Sequence, residues 1–265
     1  MNKKDSKRLL FQLKNYEEFA KFSDCFYILH QLANQYPNVT FFQEIAQTYY
    51  SNRNLDTLLN HIENTILSHP EYKKFCLLIK GLIYEEQEKL NDAEKMYLKA
   101  LDIDYDYFDA RNQLIKLYFY KNKRYQETIK HCELVFSYKN FDLIDKKNYS
   151  STFKWLYSLW NPLFESYIYT DQYMKAIKII EHKKQTLDIF FKGNYEDNFY
   201  DENIILFKLY YLLKDQKKSK ELIYILKNYY KVSDEFIQGM KKDADQKYIS
   251  NLNPENYKIS KNNFN

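Results

Sequence analysis

Glycine and proline are scarce, three and four residues in a chain of 265, against about 12% together in average sequences. Hairpins between strands draw on residues that tolerate positive φ, so a sheet-rich fold with many tight turns is excluded. Long helices joined by short polar links remain. Cysteine is scarce as well: Cys25, Cys76 and Cys132 are odd in number and widely spaced. That excludes a paired disulfide framework and fits a reducing, cytoplasmic compartment. The longest apolar runs, such as Phe75 to Ile79, fall far short of the roughly 18 residues of a spanning helix, so no transmembrane segment is expected. Met1 to Leu13 carries charges and no apolar core, so no secretory signal is expected either.

Catalytic motifs are missing too. The sequence holds no HExxH, no CxxC, no Walker glycine loop, no GxSxG and no GxGxxG, and three glycines leave little for a backbone phosphate cradle. His30, His61, His69, His131 and His182 are scattered. His131 and Cys132 are neighbours, but successive helical residues point about 100° apart, so Cys132 reads as a core thiol rather than a nucleophile. Glu85 with Glu86, and Asp102 with Asp104, read as solvated charges. No enzyme, no cofactor and no metal site is expected.

Charge of one sign is nearly balanced: Lys+Arg 40 against Asp+Glu 36 gives +4, spread along the chain. A nucleic-acid binder clusters its positive charge into a stripe, and the densest basic runs here, Lys121 to Arg124 and Lys217 to Lys220, fall at expected turns. What the chain has in quantity is apolar and aromatic surface, 45% apolar residues with Tyr 28 and Phe 19, which is not a disordered composition.

That surface recurs in tandem. Lys74 to Tyr105 carries Leu77, Gly81, Tyr84, Ala93, Tyr97 and Ala100 at the spacing of a two-helix unit, small residues where the helices approach and large ones beside them. Stepping back 35 residues reaches Ala46, Tyr49, Leu58, Ile62 and Thr65, with Phe42 ahead of them and Pro70 placed to stop the second helix. Stepping forward from Ala93, Tyr97 and Ala100 reaches Thr128, Cys132 and Val135 after a helix with Leu114, Ile115 and Tyr118, with one extra residue in the Lys121–Arg124 turn. Trp160, Leu163, Phe164, Tyr167, Tyr173, Ala176 and Ile180 mark a fourth unit, and Leu206, Phe207, Tyr210, Ser219, Ile223 and Leu226 a weaker fifth. Cys25, Leu29, Leu32 and Pro37 look like half of a degenerate first one.

This pattern resembles the tetratricopeptide repeat (TPR) over about residues 22–230, a helix hairpin of about 34 residues. The resemblance implies an all-α fold: a right-handed α-solenoid of about five TPR-like hairpins with a C-terminal capping helix. Its units fall near 5–37, 39–73, 74–107, 108–137, 150–190 and 200–231, with a cap at 232–249 built on Phe236, Ile237 and Met240. Residues 1–249 then form a single solenoid and 250–265 a flexible tail. Pro162 is expected to kink one long helix, because Trp160 keeps the repeat phase, and Tyr195 to Asp201 reads as an acidic, aromatic loop.

In such an array the first helix of each hairpin lines the concave side. Its groove positions read Gln43, Gln47 and Tyr50, then Phe75, Leu78, Leu82 and Glu85, then Asn112, Lys116 and Phe119, then Asn161, Glu165 and Ile168, then Ile204, Lys208 and Tyr211. Apolar surface with isolated charges suits a protein partner, a peptide or helix with apolar anchors. The Lys and Asn clamp with which some TPR proteins hold acidic chaperone tails is not matched; Lys116 alone has its character, so that partner is not expected. The expected function is a non-catalytic protein-interaction adaptor or scaffold. The alternatives are an obligate TPR subunit of a larger assembly, including a membrane-docked one, and an RNA-binding solenoid using Tyr118, Tyr120, Lys121, Lys123, Arg124 and Tyr125. A peptide-sensing regulator ranks lower, since residues 1–20 are too short for an effector segment.

Overall fold

Ten α-helices succeed one another through the residues that a computed structural model describes, 55–137, 149–191 and 199–250, and none of these residues is in a strand. Side chains are described throughout except at 149–157 and 188–191. The helices are α1 (Leu55–Ser68), α2 (Lys73–Glu86), α3 (Leu90–Ile103), α4 (Phe108–Lys116), α5 (Tyr125–Ser137), α6 (Tyr149–Tyr169), α7 (Tyr173–Phe191), α8 (Tyr200–Leu212), α9 (Gln216–Asn228) and α10 (Asp234–Asp245). Most pack on a neighbour in the chain, most extensively α2 on α3, whereas α10 packs on α8. The chain divides into two units, one up to Leu117 and one from Tyr118. The first hairpin near 5–37, residues 39–54 of the next, Tyr195 to Asn198 of the expected loop and the tail from 251 lie outside the described residues, while Tyr200 and Asp201, expected in that loop, instead open α8 with acidic residues in its first turn.

Reversing a helix within three or four residues requires a left-handed residue near its end, usually glycine. Here other residues take that conformation: Glu88, Lys123, Asp171, Lys214, Lys231 and Lys247 all have φ between 55° and 61°. Around four of them the same pair of bonds closes the helix. Lys89 N–H reaches back to the Tyr84 carbonyl, Gln172 to Tyr167, Asp215 to Tyr210 and Tyr248 to Asp243, at 2.7 to 2.9 Å. A second, shorter-range bond accompanies each, as in Lys214 N–H to Tyr211 O at 3.0 Å. Glu88 and Lys123 stand 35 residues apart, the spacing found between the packing positions of the sequence.

In the first unit, Leu58, Ile62 and Thr65 on α1, Leu77 and Gly81 on α2, and Ala93, Tyr97 and Ala100 on α3 are all buried. α1 ends at Ser68, and Pro70 opens a short 3-10 turn, Pro70–Tyr72, where its missing N–H costs nothing. Gly81 lies against the Tyr97 ring: a Cβ there would come within 2.7 Å of Cδ1 and 2.9 Å of Cζ. That ring has no room to yield, because it is fully buried and its hydroxyl donates to Glu85.

The second unit buries Thr128, Cys132 and Val135 on α5, Trp160, Leu163, Phe164 and Tyr167 on α6, and Ala176 and Ile180 on α7. Trp160 joins Leu187 and Phe199 in one cluster, with Phe136 and Ile179 against it. Pro162 stands inside α6, so helix continues through it even though its nitrogen donates nothing to the ladder. α8 is buried on every side from Asn203 to Tyr210, as a helix surrounded by others must be. That burial includes Lys208, whose Nζ lies 2.8 Å from Asp243 Oδ2 of α10 and donates to the Tyr248 carbonyl at 2.9 Å. Neither side chain of the pair has any exposed surface. The helix expected at 232–249 is thus present as α10, capped by the Ser233 hydroxyl, which accepts from Phe236 N–H at 3.2 Å, and it is fastened to α8 by a buried ion pair.

Two outcomes follow. Gly81→Ala should destabilise the fold by about 1–3 kcal/mol through overpacking, with Ala93→Gly as a helix-propensity control, read by urea denaturation. Asp243→Ala should cost about 3–5 kcal/mol by stranding a buried ammonium, whereas Lys208→Met with Asp243→Leu should recover most of that loss, because no charge is then left unpaired.

Candidate functional site

The expected groove residues divide sharply by burial. Leu78, Leu82, Phe119, Ile168, Ile204 and Lys208 are at most 6% exposed, so they pack the chain's own core and present no open face. The reason is clearest at Lys208, where α10 covers the surface that would otherwise look outward. Glu85 accepts the Tyr97 hydroxyl, and Phe75 meets Tyr107 edge-on at 5.6 Å beside Lys74. Asn112, Lys116, Glu165 and Tyr211 are half-buried and Asn161 is exposed, while Gln43, Gln47 and Tyr50 lie outside the described residues.

Two of these residues, assigned by the repeat reading to successive hairpins, meet in a cluster of the second unit. The helix begun by α4 widens into a π turn at Leu117–Lys121, and this is where the extra residue of the repeat goes, into the helix rather than the following loop. A π turn often marks a functional site because it re-aims side chains. On it, Phe119 meets Tyr120 edge-on at 4.8 Å, and Tyr125 at the start of α5 at 6.0 Å. Tyr125 in turn stacks on Tyr169 of α6, 4.4 Å between centroids and 16° from parallel. Tyr120 and Tyr169 remain 54% and 48% exposed.

Glu165 stands one helical turn before Tyr169 on α6. Its carboxylate has no hydrogen-bond or ion-pair partner among the described residues. Burial pushes its carboxyl above the usual range, with Lys123 and Lys183 pulling the other way at longer range. Its charge in turn helps burial to raise the phenols of Tyr120, Tyr125 and Tyr169. Lys183 is held elsewhere, by Glu202 at 2.7 Å and by Asn161 Oδ1 at 3.0 Å. The assembly is a half-buried carboxylate whose charge reaches three tyrosines, two of them about half exposed to solvent. It favours a cation, which gains both from the carboxylate and from the negative faces of the rings.

Sequence reasoning found Phe119 and Glu165 but missed Tyr169 and the partnership with Tyr125. A signal was available: Glu165 and Tyr169 share a helix face at i, i+4, and the extra residue near Lys121 marked a break in the helix just where aromatic residues crowd.

No protein-family model matches the chain, and comparison with curated proteins yields no match either. Among the described residues no three His, Cys, Asp or Glu side chains group so as to hold a metal, and no helix is long and apolar enough to cross a membrane. Asp104 of the imagined carboxylate pair forms an ion pair with Lys74 at 2.5 Å. Cys132 is fully buried, and burial, with Glu133 nearby, pushes its thiol well up. Burial alone takes the Cys76 thiol to about 12. Neither thiol forms a thiolate in the native fold at neutral pH.

The unfolded chain loses these two protons near pH 9 while the folded chain keeps them, so stability should fall as pH rises from about 9 towards 12. The expected slope is on the order of 1 kcal/mol per pH unit per thiol. Urea titrations across that range should show a shallower decline for the Cys76→Ala and Cys132→Ala double variant.

Proposed function

We propose that the chain is a non-catalytic adaptor, an α-solenoid of tandem TPR-like hairpins, and that it holds a protein partner by seating a Lys or Arg side chain on the Glu165 aromatic cluster. The regular burial of small and large positions through α1 to α9, and the recurring left-handed turns between paired helices, support the tandem reading. One observation carries the binding reading: a half-buried carboxylate that has no hydrogen-bond partner among the described residues lies within electrostatic reach of tyrosines that are half open to water. A protein does not gain stability from such a group by itself. A cation arriving there recovers the carboxylate's lost hydration and adds a cation–π contact of about 0.5–2 kcal/mol.

The RNA alternative draws less support. Its leading arginine, Arg124, forms bonds to Glu127 at 3.0 and 3.1 Å and lies over the Tyr118 ring at 4.4 Å, so its charge is already engaged within the chain.

Fluorescence polarisation with short labelled peptides tests the assignment. Helical or extended peptides bearing one Arg among apolar residues should bind at least about tenfold more tightly than the same peptides with Gln there. Glu165→Gln and Tyr169→Ala should each remove that preference without lowering the melting temperature. Because burial raises the Glu165 carboxyl, the preference should weaken as pH falls, and should do so at a higher pH than an ordinary glutamate would take up its proton. Arg and Gln peptides binding alike, or a Glu165→Gln protein that keeps the preference, would refute it.

A further inference from the structure

A second place in the same unit has the opposite chemistry. Between α7, α8 and the end of α9 lies a cavity of about 380 Å³, within the range of roughly 300–1,000 Å³ typical of small-molecule sites. Lys184, Gln185 and Asn203 supply its polar side chains, and Phe199, Ile225, Tyr229 and Tyr230 give it largely apolar walls. Lys184 Nζ donates to Asn203 Oδ1 at 2.6 Å and sits 5.4 Å from the centre of the Phe199 ring. The Asn203 amide donates one N–H towards the Tyr230 hydroxyl at 3.4 Å, which leaves its second N–H for another acceptor.

No carboxylate among the described residues comes within ion-pair distance of Lys184. The two whose charge it feels are occupied, Glu202 by Lys183 at 2.7 Å and Glu181 by the Tyr210 hydroxyl at 2.7 Å. Burial nevertheless pulls the Lys184 ammonium below its ordinary range. Its direct partners are a neutral amide oxygen and a ring face, and a cation so placed gains most from an incoming anion.

We infer that this cavity binds a small organic anion, a carboxylate carried on a flat apolar group. The carboxylate takes the Lys184 ammonium and the second Asn203 N–H, and the apolar body lies among Phe199, Ile225 and Tyr229. This class is distinct from the basic side chain assigned to the Glu165 cluster, and neither assignment depends on the other. A free small acid and the C-terminal carboxylate of a peptide ending in an aromatic residue share this chemistry.

Isothermal titration and saturation-transfer NMR on the full chain can decide it with phenylacetate as the probe, phenylacetamide as its neutral counterpart, and N-acetyl-glycyl-phenylalanine as free acid and as amide. At least one acid should bind about tenfold or more tightly than its amide. Lys184→Met should bring that acid down to the level of its amide, Lys184→Arg should keep the difference, and Tyr229→Ala should weaken acid and amide together. Glu165→Gln should change none of these values. A stronger response to the peptide acid identifies a chain terminus as the source, and a stronger response to phenylacetate a free acid. Acids and amides binding equally, neither acid binding, or an acid preference that survives in Lys184→Met would each overturn the assignment. Should Lys184→Met fail to fold by circular dichroism, the acid–amide comparison in the native chain and in Lys184→Arg still decides.

Discussion

The constraint on which this architecture depends is the reversal of a helix within three or four residues in a chain that has almost no glycine for the purpose. A non-glycine residue in the left-handed region costs roughly 1–2 kcal/mol, and six such residues are present among those described. The two described glycines are both buried inside helices, Gly81 against the Tyr97 ring and Gly239 on α10. The chain thus accepts strain at the turns and keeps close approach for the packed faces. Charged residues suit that division, since Glu88, Lys123, Lys214 and Lys231 stand at solvent-facing corners. The backbone bonds around them cap helix ends that would otherwise leave carbonyls unsatisfied.

Strained turns make each hairpin depend on its packing, and the packing is what periodicity exposes in a sequence. Leu77, Gly81, Ala93, Tyr97 and Ala100 were readable because a short side chain must face a large one wherever two helices come close, and every one of them is buried. Cys132 was readable for the same reason. The open surface was not. Assigning Leu78, Leu82, Ile168 and Lys208 to a groove assumes that the inner side of each first helix stays uncovered, yet burial depends on elements distant in the chain. Lys208 finds Asp243 thirty-five positions later, and nothing local in the NIILFKLY run announces that a lysine there has a carboxylate waiting. Mid-helix lysine in an apolar stretch reads as exposed until its partner is placed.

The Glu165 cluster was half legible on similar grounds. Helical spacing brings Glu165 and Tyr169 to one face, and that much follows from sequence. The approach of Phe119, Tyr120 and Tyr125 depends on where one surplus residue is absorbed. Placed in the loop after Lys121, it would leave the helix in phase; absorbed as the π turn Leu117–Lys121, it shifts the direction of the side chains that follow. Inserting one residue into an α-helix rotates what comes after it by about 100°, so the choice between loop and π turn decides which aromatic rings meet.

Charge along α6, α7 and α8 alternates in a way that makes the two proposed sites complementary. Glu165 feels Lys183, Lys183 is bound to Glu202, and Glu202 acts on Lys184. Lys183 and Lys184 are successive residues of α7, so they leave the helix about 100° apart, and among the described residues only the first finds a carboxylate. The Lys183–Glu202 pair, with side chains 5% and 13% exposed, neutralises the middle of the series and leaves its ends uncompensated, a carboxylate at one and an ammonium at the other. Lys183 is the one buried residue of these four, so its pairing removes the unpaired charge that would be costliest, and the residual charges lie at the two places where rings and solvent give an incoming group of opposite sign room to dock.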